Sequence, residues 1–98
     1  MRFMVDHDAG MAKANEVDAN GGPGPMLSNI MERFKPEVVF PKASTRGAYF
    51  VVDLETPEQI SELMYALTWG TGGTPKFTPL MTSSFDNVIV KAKELVSP

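Results

Sequence analysis

Cysteine is absent from this 98-residue chain, which excludes disulfides, thiolate metal sites and a cysteine nucleophile. No run approaches the ~20 apolar residues that span a bilayer, so no membrane partner is expected. The opening Met1-Arg2-Phe3-Met4-Val5 is too short an apolar run for a signal peptide and meets Asp6 at once. These absences make the cytoplasm the expected location. A basic stripe is also missing. The nine Lys and Arg are scattered, the net charge is −3 and the pI is about 5.0, so nucleic acid is not an expected partner. Histidine and tryptophan occur once each, at His7 and Trp69. The glycine-rich Asn20–Pro25 stretch lacks a Lys-Ser/Thr ending and does not follow a strand, so it is no phosphate loop. No Ser/His/Asp arrangement can be argued, because Ser83 and Ser84 read as helix caps.

What is present suits one small domain spanning 1–98, with 43% apolar and 21% charged residues. A chain of this length buries only about 60–65% of its unfolded surface, and dimerisation is one way to bury more.

The pattern reads β-α-β-β-α-β-α. Arg2 to Asp8 alternates as a short strand. Gly10 to Ala19 predicts a weak helix, broken by Asn20–Pro25; Pro25 then opens a second piece with Met26, Leu27, Ile30, Met31 and Phe34 on its apolar face, ended by Pro36. Val38–Pro41 predicts an edge strand, since Pro41 removes a ladder donor. Ala48 to Leu54 is the best strand and belongs in the sheet centre. Thr56-Pro57-Glu58-Gln59 is a capped helix start, with Ile60, Leu63, Met64 and Leu67 following at helical spacing until Gly70–Pro75 stops it. Lys76 to Thr82 predicts a fourth strand, and Ser83 or Ser84 a cap for a last helix carrying Val88, Ile89, Ala92, Leu95 and Val96. The expected fold is therefore α+β, ferredoxin-like: a four-stranded antiparallel sheet with helices on one face.

Alternation assigns the faces. Phe3, Val5, Ala48, Phe50, Val52 and Leu54 pack under the helices; Arg2, Met4, Asp6, Tyr49, Val51, Thr78 and Leu80 face away. The second set is too apolar to stand fully in water, which points to a partner. The simplest is a second copy packed sheet to sheet about a twofold axis, with Tyr49 and Val51 near the interface.

Pro36–Phe40, then Arg46–Leu54, and Phe77–Thr82 running into a helix, resemble small uncharacterised bacterial members of the dimeric α/β-barrel superfamily, whose protomers are ferredoxin-like. That superfamily includes muconolactone-type isomerases, cofactor-free monooxygenases, chlorite dismutase-like haem proteins, stress-responsive proteins and ligand domains of transcription regulators. The resemblance implies a homodimer with a ligand cavity between sheet and helices or inside the barrel. It transfers no catalytic residue. A haem ligand would have to be His7, at a strand end, and no cofactor is expected.

Asp6-His7-Asp8 is the one place suited to metal or acid–base chemistry, yet alternation puts the two aspartates on one face and His7 on the other, so no metal site is expected. His7 remains a candidate acid or base. Tyr49 with Asp6 or Asp53 either orients a substrate atom or is an interface tyrosine bonded to a carboxylate. Trp69 and Tyr65, four apart, form either a pocket wall or a hydrophobic plug at a helix end. The expected catalytic candidates are thus His7, Asp6 and Tyr49, and the expected ligand set is Met4, Asp6, Tyr49, Trp69 and Leu80. The expected function is binding of a small, mostly apolar organic compound, with cofactor-free isomerase or monooxygenase chemistry. The alternative is a non-catalytic stress-type or interaction protein whose homodimer is the functional unit. Asn20–Pro25 and Gly70–Pro75, rich in glycine and without large apolar anchors, are expected to be the least restrained internal segments, one of them flanking a pocket entrance.

Overall fold

Local signals set most element boundaries in this chain. The computed structural model describes residues 1–97. Strands β1 (Arg2–Asp8), β2 (Val38–Pro41), β3 (Gly47–Asp53) and β4 (Lys76–Pro79) form one antiparallel sheet in the order β2-β3-β1-β4. Helices α1 (Met11–Ala19) and α2 (Gly24–Phe34) follow β1, α3 (Pro57–Thr71) follows β3, and α4 (Asp86–Val96) follows β4. The strand order and pairing are those of a ferredoxin-like sheet, and β2, with Pro41 at its end, is an edge strand.

The start of α3 is built as the sequence reads. Thr56 Oγ1 accepts from the Gln59 amide at 3.3 Å, while Gln59 Oε1 accepts from the Glu55 amide at 2.5 Å. Its end differs. The helix runs through Gly70 to Thr71, because the Thr71 hydroxyl donates to the Leu67 carbonyl and Gly72 takes the left-handed conformation, φ 77°, that closes the last turn. β4 stops at Pro79 rather than Thr82 because its partner ends: Leu80 N–H donates to the Arg2 carbonyl, and the Met1 carbonyl before it is taken by Leu54 N–H. α4 begins at Asp86 with no side-chain cap; Ser84 Oγ lies 3.2 Å from Asp86 Oδ2.

Register fixes the two faces. Phe3 pairs with Val52 and Pro79, and Val5 with Phe50 and Phe77. Phe3, Val5, Phe50, Val52 and Leu54 meet Ile30 of α2 and Leu63 and Leu67 of α3 in one core, and Phe77 packs against it, edge to face with Phe3 at 6.1 Å. The other face carries Met4, Val51 and Val38 in one row and Asp6, Tyr49 and Phe40 in the next. Val51 is buried between its row neighbours, but Tyr49 and Phe40 stay 42% and 58% exposed, and no helix covers them.

α4 does not join the helical layer. None of its residues is buried, and Val88, Ile89, Leu95 and Val96 all face solvent. The molecule is accordingly long, 62 × 25 × 20 Å, with a radius of gyration of 17.1 Å where a compact chain of this length has about 13 Å. An 11-residue helix is marginal alone in water, and among the described residues nothing buries a side chain of this arm.

The two glycine-rich segments separate sharply. Gly21 and Gly22 have φ of 100° and 89° with open space where a side chain would stand, and Gly22 N–H donates to the Val17 carbonyl. Gly70–Pro75 is instead pinned. Gly10 N–H donates to the Thr71 carbonyl, and a Cβ at Gly73 would overlap the Asp8 carbonyl oxygen. The glycines there permit close approach of backbone to the end of β1, which corrects the expectation that both segments are loose.

Candidate functional site

Where β1 ends, two different sites lie back to back. On the helix-free face, the Asp6 carboxylate meets the Lys42 ammonium at 2.5 Å, and both Asp8 oxygens lie 3.1 Å from the same nitrogen. Lys42 Nζ also sits 4.5 Å from the centre of the Tyr49 ring, and Thr45 Oγ1 donates to Asp8 at 2.7 Å. Hydrogen bonding to Asp6 raises the Lys42 pKa, and hydrogen bonds from Thr45 and Lys42 lower that of Asp8. A protonated lysine between two carboxylates is neither nucleophile nor base, so the cluster ties the 42–46 turn to β1.

On the opposite face, β1 turns His7 inward, 7% exposed. Its Nε2 lies 2.8 Å from Thr71 Oγ1. The Thr71 hydroxyl spends its proton on the Leu67 carbonyl at 2.6 Å, so Oγ1 accepts and His7 Nε2–H donates. That assigns the tautomer: Nδ1 is the lone-pair nitrogen. It is the one buried side-chain polar atom among the described residues without a partner. Such an orphan costs about 1–3 kcal/mol. Burial lowers the His7 pKa, with Lys42 acting the same way and Asp8 and Asp6 opposing. The ring is therefore neutral at pH 7.

His7 forms part of the wall of a cavity of about 320 Å³ between α1, the start of α2 and the end of α3. Small residues create the space: Ala9 and Ala14 on one side, Gly47 at the start of β3 and Gly70 on α3, with Val17, Met26 and Leu27 supplying the apolar wall. Gly70 lets α3 approach α2, since a Cβ there would press on the Met26 side chain at 3.0 Å. Pro23 of the Asn20–Pro25 segment and Gly70 and Thr71 of the Gly70–Pro75 segment all line the cavity, so both segments border it. Arg46 and Asp18 complete the lining, half-exposed, with Nε 3.7 Å from the Asp18 carboxylate and Nη1 2.8 Å from Asn15 Oδ1.

The expected site residues divide between surfaces. Asp6 and Tyr49 are register partners and Met4 shares their face, so these three come together. Leu80 lies beside Arg2 at the far end of β1. Trp69 is 73% exposed on the outer side of α3, its ring 5.1 Å from Tyr65, and none of these five residues lines the cavity. His7 alone of the candidates does. Sequence reasoning missed Thr71, Lys42 and Arg46. Their partners lie tens of positions away along the chain, and no local pattern joins them.

The His7 environment predicts acid sensitivity. Its folded pKa lies below the unfolded value near 6.5, so the unfolded chain takes up the proton first. The associated stability is full above pH 6.5 and is lost as pH falls from there towards the folded pKa. The melting temperature should drop between pH 7.5 and 5.5, above the range where carboxylates titrate. His7→Gln should remove most of that drop; an equal drop in the variant would place the sensitivity elsewhere.

No protein-family model and no curated protein matches this chain.

Proposed function

We propose that this protein binds a small, mostly apolar organic compound in the His7 cavity, as a homodimer of the dimeric α/β-barrel type, and that His7 moves a proton on that compound as in a cofactor-free isomerase. The observation that carries the reading is a mainly apolar cavity of about 320 Å³ with the buried imidazole of His7 among its lining residues. That volume falls in the range of small-molecule sites. A proton shift needs one base that takes the proton and returns it at a neighbouring atom, with no co-reactant. This favours an isomerase over a monooxygenase, which must also bring oxygen to the site.

The dimer rests on separate surfaces. Tyr49 and Phe40 leave an apolar patch on the sheet, and α4 offers Val88, Ile89, Leu95 and Val96 with nothing of its own chain upon them. This supports the second reading, in which the homodimer itself is the functional object and the cavity is incidental.

Native mass spectrometry of freshly purified protein separates the two. A binder should carry a retained small-molecule adduct that is lost on mild unfolding and absent from Ala14→Leu, which fills the cavity from α1 without replacing His7. A dimer with no adduct, and with no small molecule taken up from a fragment mixture, would favour the second reading.

A further inference from the structure

We infer that in the homodimer α4 of each copy crosses to the second copy and packs on its helix-free sheet face, over Val38, Phe40 and Tyr49. The inference rests on the dimer proposed above and names what covers that face beside the sheet-to-sheet contact.

Two uncovered apolar surfaces on one chain lead there. Phe85, Val88, Ile89, Ala92, Leu95 and Val96 recur at helical spacing and form a single stripe along α4, with Asn87, Lys91 and Glu94 opposite. Every one of these apolar side chains is exposed, Leu95 and Val96 by more than four-fifths. A helix this short gains little from its own hydrogen bonds and depends on packing its apolar side. The second surface is on β2 and β3, where Val38, Phe40 and Tyr49 are exposed on the side away from the helical layer.

The chain's own arm starts at the wrong corner for that patch. β4 is the edge opposite β2, and it leaves the sheet beside Arg2, where Leu80 N–H donates to the Arg2 carbonyl. Phe40 and Tyr49 share the row of Asp6, further along β1. From its corner the arm leads away and draws the molecule out to 62 Å. Each copy thus brings one arm and one bare patch, in equal number, and a twofold axis covers both at once. The dimensions agree. α4 is about 16 Å long and 10–12 Å across, so half of its surface is about 250–300 Å². The seven residues of β3 run about 23 Å, enough to seat that length. Each arm covers a matching area of sheet, so two arms bury about 1,000–1,200 Å² in total, which meets the ~1,000 Å² that a specific interface requires.

Disulfide trapping tests the inference, since the chain has no cysteine of its own. Full-length Phe40→Cys and Ala92→Cys proteins, one of them isotope-labelled, are mixed, left to exchange in reductant and then oxidised. Mixed disulfides should exceed either same-variant disulfide at least fivefold. Ile89→Glu, at a position exposed in the protomer, should leave the amide resonances of Val5, Val52 and Leu63 in place and raise the dimer dissociation constant at least tenfold. A prevailing disulfide between two Phe40→Cys chains, or an Ile89→Glu protein as dimeric as the original, overturns the arm exchange and leaves the sheet-to-sheet dimer standing. A prevailing disulfide between two Ala92→Cys chains places arm on arm and overturns it as well. If a chain carrying both substitutions closes on itself while the mixture stays unlinked, the arm folds back on its own sheet and the exchange fails. An original protein that is monomeric at micromolar concentration removes the dimer and the exchange together.

Discussion

Gly73→Ala is expected to be the most damaging single-methyl change in this protein. The added Cβ would overlap the Asp8 carbonyl oxygen and sit 2.9 Å from its carbon and 3.3 Å from Ala9 Cα. All three are backbone atoms at the end of β1, so no side chain can swing aside. The 71–75 segment would have to leave β1, breaking the Gly10–Thr71 backbone bond and the Thr71 contact that holds His7. A loss of at least about 4 kcal/mol is expected, the size reserved for changes that displace packed backbone, against a total of about 5–15 kcal/mol for a domain of this size. Urea unfolding followed by circular dichroism measures it. Gly21→Ala is the control: its φ of 100° disfavours a side chain, but nothing lies within 4 Å, so the cost should be about 1 kcal/mol. A Gly73→Ala protein within about 1 kcal/mol of the original would mean that this segment lifts from β1 freely and acts as a loose gate after all.

The second large effect concerns assembly. Phe40 is 58% exposed on the edge strand β2, across from Tyr49, so Phe40→Glu should change protomer stability by no more than about 0.5 kcal/mol. In a dimer packed sheet to sheet about a twofold axis, however, the substitution places an unpaired carboxylate from each copy within one apolar interface. Burying such charges is costly enough to weaken the dimer by roughly a hundredfold or more. Size-exclusion chromatography with light scattering should show a dimer for the original protein at micromolar concentration and a monomer for Phe40→Glu. A monomeric original protein, or a variant as dimeric as the original, would remove the sheet face as the interface. Should the dimer survive Phe40→Glu, α4 becomes the surface to truncate next.

The His7 cavity and the helix-free sheet face lie on opposite faces of β1. Phe3, Val5 and His7 point to the helices, while Met4, Asp6 and Asp8 point away. A change such as Phe40→Glu therefore tests the dimer without touching the cavity, and Ala14→Leu does the reverse.

Taken by itself, the amino-acid sequence determined whatever depends on neighbours in the chain. The alternation of Arg2–Asp8 separates His7 from its flanking aspartates, Pro41 marks an edge strand, and Thr56-Pro57-Glu58-Gln59 starts α3 as written. The order of elements was legible because capping, proline placement and periodicity act within a few residues, where the backbone leaves few options. Only the tertiary structure decided which distant residues meet. Thr71 reaches His7 from 64 positions away and sets its tautomer, and Lys42 reaches Asp6 from 36 positions away. Gly70–Pro75 reads as a loose loop until β1 is laid against it, when the same glycines become the only residues that allow the contact. α4 has the periodicity of a packed helix, and nothing local reveals that its own chain leaves it uncovered. Side-chain chemistry and short-range sterics are written residue by residue, whereas cavities, tautomers and uncovered faces arise from juxtapositions that exist only once the chain has closed on itself.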